Sequence, residues 1–106
     1  MDNAFMENIN PLNPEELEAL RASLPLWTFE PQGAWMRREW VFPDFLKAFE
    51  FMTQVATLAH EQDHHPNWSN VYNRVTIQLF THDCSALTHR DSRLARDIEH
   101  LFAQRQ

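Results

Sequence analysis

Asp63-His64-His65-Pro66 sets two adjacent imidazoles between a carboxylate and a ring that stiffens the backbone, and a third imidazole, His82, ends a strand-like run further along. Imidazole exchanges protons near neutral pH, with an ordinary pKa of about 6.5, so its acid and base forms coexist there without a metal. Rings of this kind meeting around one guest would supply a general acid and a general base together. Consecutive side chains in a bend point different ways. One ring can therefore face a bound molecule while its neighbour braces the turn, and Asp63 is placed to orient a ring through a nitrogen-bound proton. Two other readings stand beside this one. The histidines can simply cap a helix and fill surface positions. His60 and His64, four apart, can also share a helix face as zinc-binding pairs do. Cys84 has His82 and His89 close in sequence, but it completes no finger spacing and has no recognisable oxyanion-forming element beside it. It reads as a small buried or half-buried thiol.

These groups need elements to hold them. Asn13-Pro14-Glu15-Glu16 has an N-cap, a proline at the first helical position and the glutamate of a capping box. The spacing of Leu17, Leu20 and Leu24 predicts a helix from Pro14 to about Ser23, stopped by Pro25. Leu26 to Phe29 and Trp35 to Phe42 flank Glu30-Pro31-Gln32-Gly33, the residue order of a type I turn, and predict a hairpin. In its second arm Met36, Trp40 and Phe42 share one face, interrupted by Arg38, with Arg37 and Glu39 on the other. From Asp44 the apolar residues Phe45, Ala48, Phe49, Met52, Val55, Ala56 and Ala59 recur by threes and fours, predicting the longest helix. Phe51 and Leu58 widen its stripe, either toward a neighbouring subunit or as a broad core-facing side.

Beyond the His-His-Pro bend, Trp68 to Asn73 and Arg74 to Thr81 read as two strands, or as one strand with a tight reversal bearing asparagine. Val75, Ile77 and Leu79 face one way; Thr76, Gln78, Phe80 and His82 face the other. If this strand lies beside the one before it, its end returns toward the bend, and the imidazoles converge. Thr88-His89-Arg90-Asp91 opens a last helix with Leu94, Ala95, Ile98, Leu101 and Phe102 as its buried stripe. The expected fold is α+β, in the order αββαββα: a four-stranded antiparallel sheet with three helices packed on one face. Trp35, Trp40 and Trp68 read as core or sheet-face residues, whereas Trp27, just before the hairpin, is placed to cover a flat heterocycle.

Composition narrows the classes. A chain of 106 residues, 43% hydrophobic and 12% aromatic with one glycine, reads as a single domain over 1–106, with 1–11 and 104–106 as flexible ends. A net charge of −6 without a dense Lys/Arg stripe argues against direct nucleic-acid binding. One cysteine makes no intramolecular disulfide, no signal-peptide pattern opens the chain, and no apolar run approaches the roughly 20 residues of a membrane span. A cytoplasmic protein is expected.

Asp63 through Asn73 (Asp-His-His-Pro-Asn-Trp-Ser-Asn-Val-Tyr-Asn), then Val75, Ile77, Leu79, Thr81-His82, Leu87-Thr88 and Arg90-Asp91 resemble the signature of the pterin-4a-carbinolamine dehydratase family. Trp27, Trp40 to Phe42, and Phe45 with Phe49-Glu50-Phe51-Met52 fit it too, so the likeness runs from about Leu12 to Phe102. The resemblance implies a cofactor-free, metal-free dehydratase acting on 4a-hydroxytetrahydropterin, a carbon–oxygen lyase that associates through its sheet or helices as a homodimer or homotetramer. It implies His64, His65 and His82 as catalytic residues. Asp63, Phe80, Thr81 and Asp83 fall where the family lines its pterin pocket, with Trp27, Arg90 and Asp91 nearby. The product would serve recycling of the tetrahydrobiopterin of an aromatic amino acid hydroxylase, a pathway partner. An alternative within the same fold is a non-catalytic dimerisation or protein-binding module, since family members also partner a homeodomain transcription factor. Two departures stand out: His60 replaces the usual acidic residue, with Glu61 next to it, and Ala86 replaces a usual glycine, which argues against a required positive φ there.

Overall fold

The computed structural model describes residues 9–105. The elements run α1 (Pro14–Ser23), β1 (Thr28–Phe29), β2 (Met36–Val41), α2 (Phe45–Glu61), β3 (Asn67–Val71), β4 (Arg74–Leu79) and α3 (His89–Arg105). This is the expected α+β order. The strands form one antiparallel sheet in the order β1-β2-β4-β3, so α2 carries the chain from the middle of the sheet to its far edge. The expected flexible segment 1–11 lies outside the described residues up to position 8. At the other end, α3 continues through Arg105. No helix among the described residues is long and apolar enough to cross a membrane.

Local chemistry sets each boundary. Asn13 Oδ1 accepts from Glu16 N at 2.8 Å while Glu16 returns a carboxylate oxygen to Asn13 N, a complete capping box. Asp44 caps α2 by accepting from Lys47 N at 2.8 Å. In the β1–β2 turn, Gly33 N donates to Glu30 O, and Gly33 holds a left-handed φ of 86° that other residues adopt only under strain. The β3–β4 reversal is a two-residue loop, since Val71 pairs with Arg74. Its left-handed residue is Tyr72, not an asparagine. Asn70 makes this tolerable by donating its side-chain amide to Tyr72 O and Arg74 O.

Pairing Met36 with Leu79, Trp40 with Val75 and Trp68 with Ile77 puts these side chains on one face of the sheet, where the core lies. Arg37, Glu39, Thr76 and Gln78 stand on the other. Against the inner face α2 turns Ala48, Phe51, Val55 and Ala59, and α3 turns Leu94, Ala95 and Ile98. Phe51 is therefore central: its ring lies 5.0 Å from Trp40 and 5.1 Å from Phe42. The broad stripe of α2 splits. Phe51 and Leu58 belong to the inward side, whereas Phe45, Leu46 and Phe49 remain 42%, 75% and 54% exposed.

Candidate active site

The end of α2 sets up the site. Asp63 N donates to His60 O and His64 N to Ala59 O, with Asp63 left-handed at φ 51°, which is the paired bond pattern of a Schellman termination. Aspartate takes this conformation more readily than most residues because its short polar side chain tolerates it. The run His60-Glu61-Gln62-Asp63-His64 carries the H-E-x-x-H spacing of zinc-binding helices. Here the helix ends inside it, so His60 and His64 do not share a helical face. No group of three or more His, Cys, Asp or Glu among the described residues is arranged to hold a metal ion. The bend drives consecutive imidazoles apart: His64 is 8% exposed and His65 is open to solvent.

His64 Nε2 lies 2.6 Å from Asp91 Oδ1, and Asp91 is fully buried. The other carboxylate oxygen accepts from Thr81 Oγ1 at 2.8 Å and from Thr88 N at 2.9 Å. Every other partner of Asp91 donates, as a carboxylate requires. With the Thr81 hydroxyl committed to Asp91, the Thr88 hydroxyl donates to Thr81 Oγ1 across 2.7 Å, and Thr88 Oγ1 itself accepts from Arg90 N. The chain of donors runs one way, into Asp91. A carboxylate that accepts at Nε2 leaves Nδ1 of neutral His64 as the lone-pair nitrogen. Asp91 is also the residue that bonds back to the Thr88 amide at the start of α3, so helix capping and imidazole orientation use one side chain.

β4 continues its alternation past its last paired residue: Leu79 and Thr81 are buried, and Phe80 and His82 turn the other way. Thr81 bridges to Ala86, closing the intervening loop, in which Ser85 and not Ala86 holds the positive φ, 51°. The Ala86 departure thus falls at a β-bridge where a side chain is accommodated. Cys84 is half-buried, its sulfur about 4 Å from Thr81 O and 3.9 Å from Ala86 O.

His64, His65 and His82 line one cleft of about 260 Å³ together with Thr81, Asp83 and Arg90. Asp63, Pro66 and Asn67 complete its rim. Phe80 sets its ring 4.4 Å from that of His82, at 51°. Asp91 lies beneath the cleft and reaches it through His64. The orienting carboxylate is thus Asp91 and not Asp63, which ends the helix. Trp27 is elsewhere: its indole is 5% exposed, donates to Glu99 Oε2 at 2.7 Å, packs edge-on to Trp40 and lines a separate hollow of about 150 Å³. Trp27, expected to cover a heterocycle, is thus held by Trp40 and Glu99 apart from the residues that line the histidine cleft. His60 and Glu61 are both exposed, with the His60 ring 6.4 Å from His65. Sequence reasoning missed Thr88 and Glu99 as partners. The signal for Thr88 was present in its cap position; none pointed to Glu99.

Three imidazoles on one cleft, one of them held by a buried carboxylate, are the side-chain types that acid–base chemistry uses, here set on a small α+β domain. Residues 10–101 match the family described as pterin 4 alpha carbinolamine dehydratase. A protein of Synechococcus sp. (strain WH7803), named as a candidate pterin-4-alpha-carbinolamine dehydratase, is 51% identical over 85% of this chain and 95% of its own. One from Rhizorhabdus wittichii with the same name is 48% identical over 89% of this chain and 97% of its own. A Brucella melitensis crystal structure titled transcriptional coactivator/pterin dehydratase superposes with a TM-score of 0.80 at 36% identity, covering 86% of this chain and 97% of that one. The chain belongs to the pterin-4a-carbinolamine dehydratase family.

Proposed function

We propose that this protein is a 4a-hydroxytetrahydropterin dehydratase, a lyase that removes water from the carbinolamine to give the quinonoid dihydropterin. The observation that carries the reading is His64, buried and held by Asp91 at 2.6 Å, in the wall of the cleft that His65 and His82 also line. At about 260 Å³, just below the roughly 300 Å³ at which ligand pockets for drug-sized molecules begin, the cleft suits a small planar guest.

The reaction takes one proton and returns one. A neutral imidazole removes the N5 proton, the C4a–O bond breaks as the N5=C4a double bond forms, and an imidazolium protonates the departing hydroxyl, which leaves as water. No electrons are exchanged with an oxidant or reductant. His65, the exposed ring, is assigned the N5 proton; His64 and His82 approach the hydroxyl from opposite faces. Asp91 fixes the His64 tautomer and gives that ring an ion-pair partner whenever it carries a second proton. Asp83 and Arg90 bind the heterocycle's polar edge, buried Thr81 backs the cleft wall while its hydroxyl holds Asp91, Asp63 shapes the rim, and Phe80 steadies His82. General acid–base assistance of about 10²–10⁴-fold suffices for a step that already proceeds slowly in water. The product would pass to a reductase, in recycling of the pterin cofactor of an aromatic amino acid hydroxylase.

The test follows decay of the 4a-carbinolamine absorbance with and without the purified protein. Acceleration is expected; decay at the buffer rate would refute the assignment.

A second property rests on the exposed Phe45, Leu46 and Phe49 of α2. Large apolar residues clustered on one open helix end favour self-association, and light scattering should report a dimer or tetramer.

A further inference from the structure

The His cleft does not end at His64. Its wall of Asp63, His64 and Arg90 is shared with a larger hollow of about 500 Å³, which runs between the end of α2 and the first turns of α3. Arg93 and Arg96 line that hollow, one turn apart on α3 and both exposed. Its acidic residues are Asp63 and Asp97, and Asp97 is engaged by the Gln62 amide at 2.7 Å. His89, also in the lining, faces Glu16 at 3.2 Å. Arg96 Nε is 3.3 Å from Ser92 Oγ. Three guanidinium groups therefore border one hollow on a chain whose net charge is −6, beside the positive end of the α3 dipole. Arginines are chosen by phosphate and carboxylate because their forked donors match oxyanions.

We infer that this hollow is a side-chain subsite, and that the pterin accepted here carries a phosphate at the end of its ring substituent, held by Arg93 and Arg96. The inference rests on the dehydratase reading, because it is the pterin ring in the His cleft that aims the substituent across the His64 wall. The hollow is about twice the volume of the cleft, room for a substituent several atoms long. Several separate guanidinium groups surround a tetrahedral oxyanion more fully than a planar one.

The experiment compares a matched pair of 4a-carbinolamines, one with a neutral polyhydroxypropyl side chain and the other its terminal phosphate ester, on the wild-type protein and on the Arg93→Ala/Arg96→Ala double variant. The phosphorylated substrate should show a KM about tenfold lower than the neutral one, an advantage lost in the variant, with kcat for both held within about twofold. Titration of the two oxidised, unreactive pterins by fluorescence should give the same tenfold preference in Kd. Equal KM and Kd for the pair, or a preference that survives the double substitution, would overturn the subsite while leaving the dehydratase intact. Inorganic phosphate that binds at the arginines without competing against the phosphorylated pterin would overturn it as well, marking a free-anion site. Dehydration of neither substrate would sink the activity reading itself, and the fluorescence titration would then still decide the subsite.

Discussion

Two carboxylates of α3, Asp91 and Glu99, sit roughly two turns apart, and their partners differ in kind. Asp91 is fully buried and meets an imidazole, a hydroxyl and a backbone amide. Glu99, with a quarter of its side chain exposed, accepts from the Trp27 indole and pairs with Arg38, whose guanidinium lies 4.5 Å over Trp40 and 5.3 Å over Phe102. Guanidinium is always charged and cannot give up its proton in a protein. Arg38 therefore trades no proton with Glu99, and the pair ties α3 to the sheet. Asp91 anchors the imidazole of His64, and that ring lines a cleft. The two carboxylates of one helix thus differ both in burial and in partner: the buried one meets an imidazole at the cleft, the part-exposed one a guanidinium and an indole.

The comparison breaks most visibly at Asp91. Asp91→Ala strands His64, the Thr81 hydroxyl and the Thr88 amide together, and should cost about 3–5 kcal/mol in urea denaturation. Asp91→Asn keeps the volume but loses the charge and the acceptor geometry. Its dehydratase rate should fall about 10²-fold or more, and a near wild-type rate would mean that Asp91 only caps the helix.

His65→Ala separates rate from stability. The ring is exposed, so the urea midpoint should correspond to a change of less than about 0.5 kcal/mol. The rate should drop about 10²–10⁴-fold if His65 takes the N5 proton. A variant that stays fully active would move the base to His64 or His82.

Glu99→Gln is the counterpart on the structural side. It should lower stability by about 1–2 kcal/mol, since Arg38 loses its ion pair while its aromatic packing persists. The dehydratase rate should stay within about threefold. A large loss of rate without loss of stability would erase the distinction between the two carboxylates. The smallest effect belongs to Cys84→Ser, whose long sulfur contacts predict a change below about 0.5 kcal/mol.

Most of the fold was legible because its signals are local. The Asn13–Glu16 capping box, the Glu30–Gly33 turn and the alternation through Val75, Ile77 and Leu79 each act within a few residues. Helix caps and strand periods are interactions of near neighbours, so the order of residues states them directly. The histidine triplet was legible as a motif, and its convergence followed from antiparallel pairing of β3 with β4. The position of Phe51 was harder, because the apolar stripe of α2 is too wide to show which part meets the sheet. Only the neighbouring Trp40, Phe42 and Phe102 decide that.

What the order of residues determined by itself was element type, element limits and a bend carrying two adjacent imidazoles. Tertiary structure alone decided who orients His64, across 27 residues, and where Trp27 goes, drawn to Glu99 across 72. Such pairings have no period and no fixed spacing. They exist only when packing brings distant segments together and leaves the His64 ring and the Trp27 indole a carboxylate within reach.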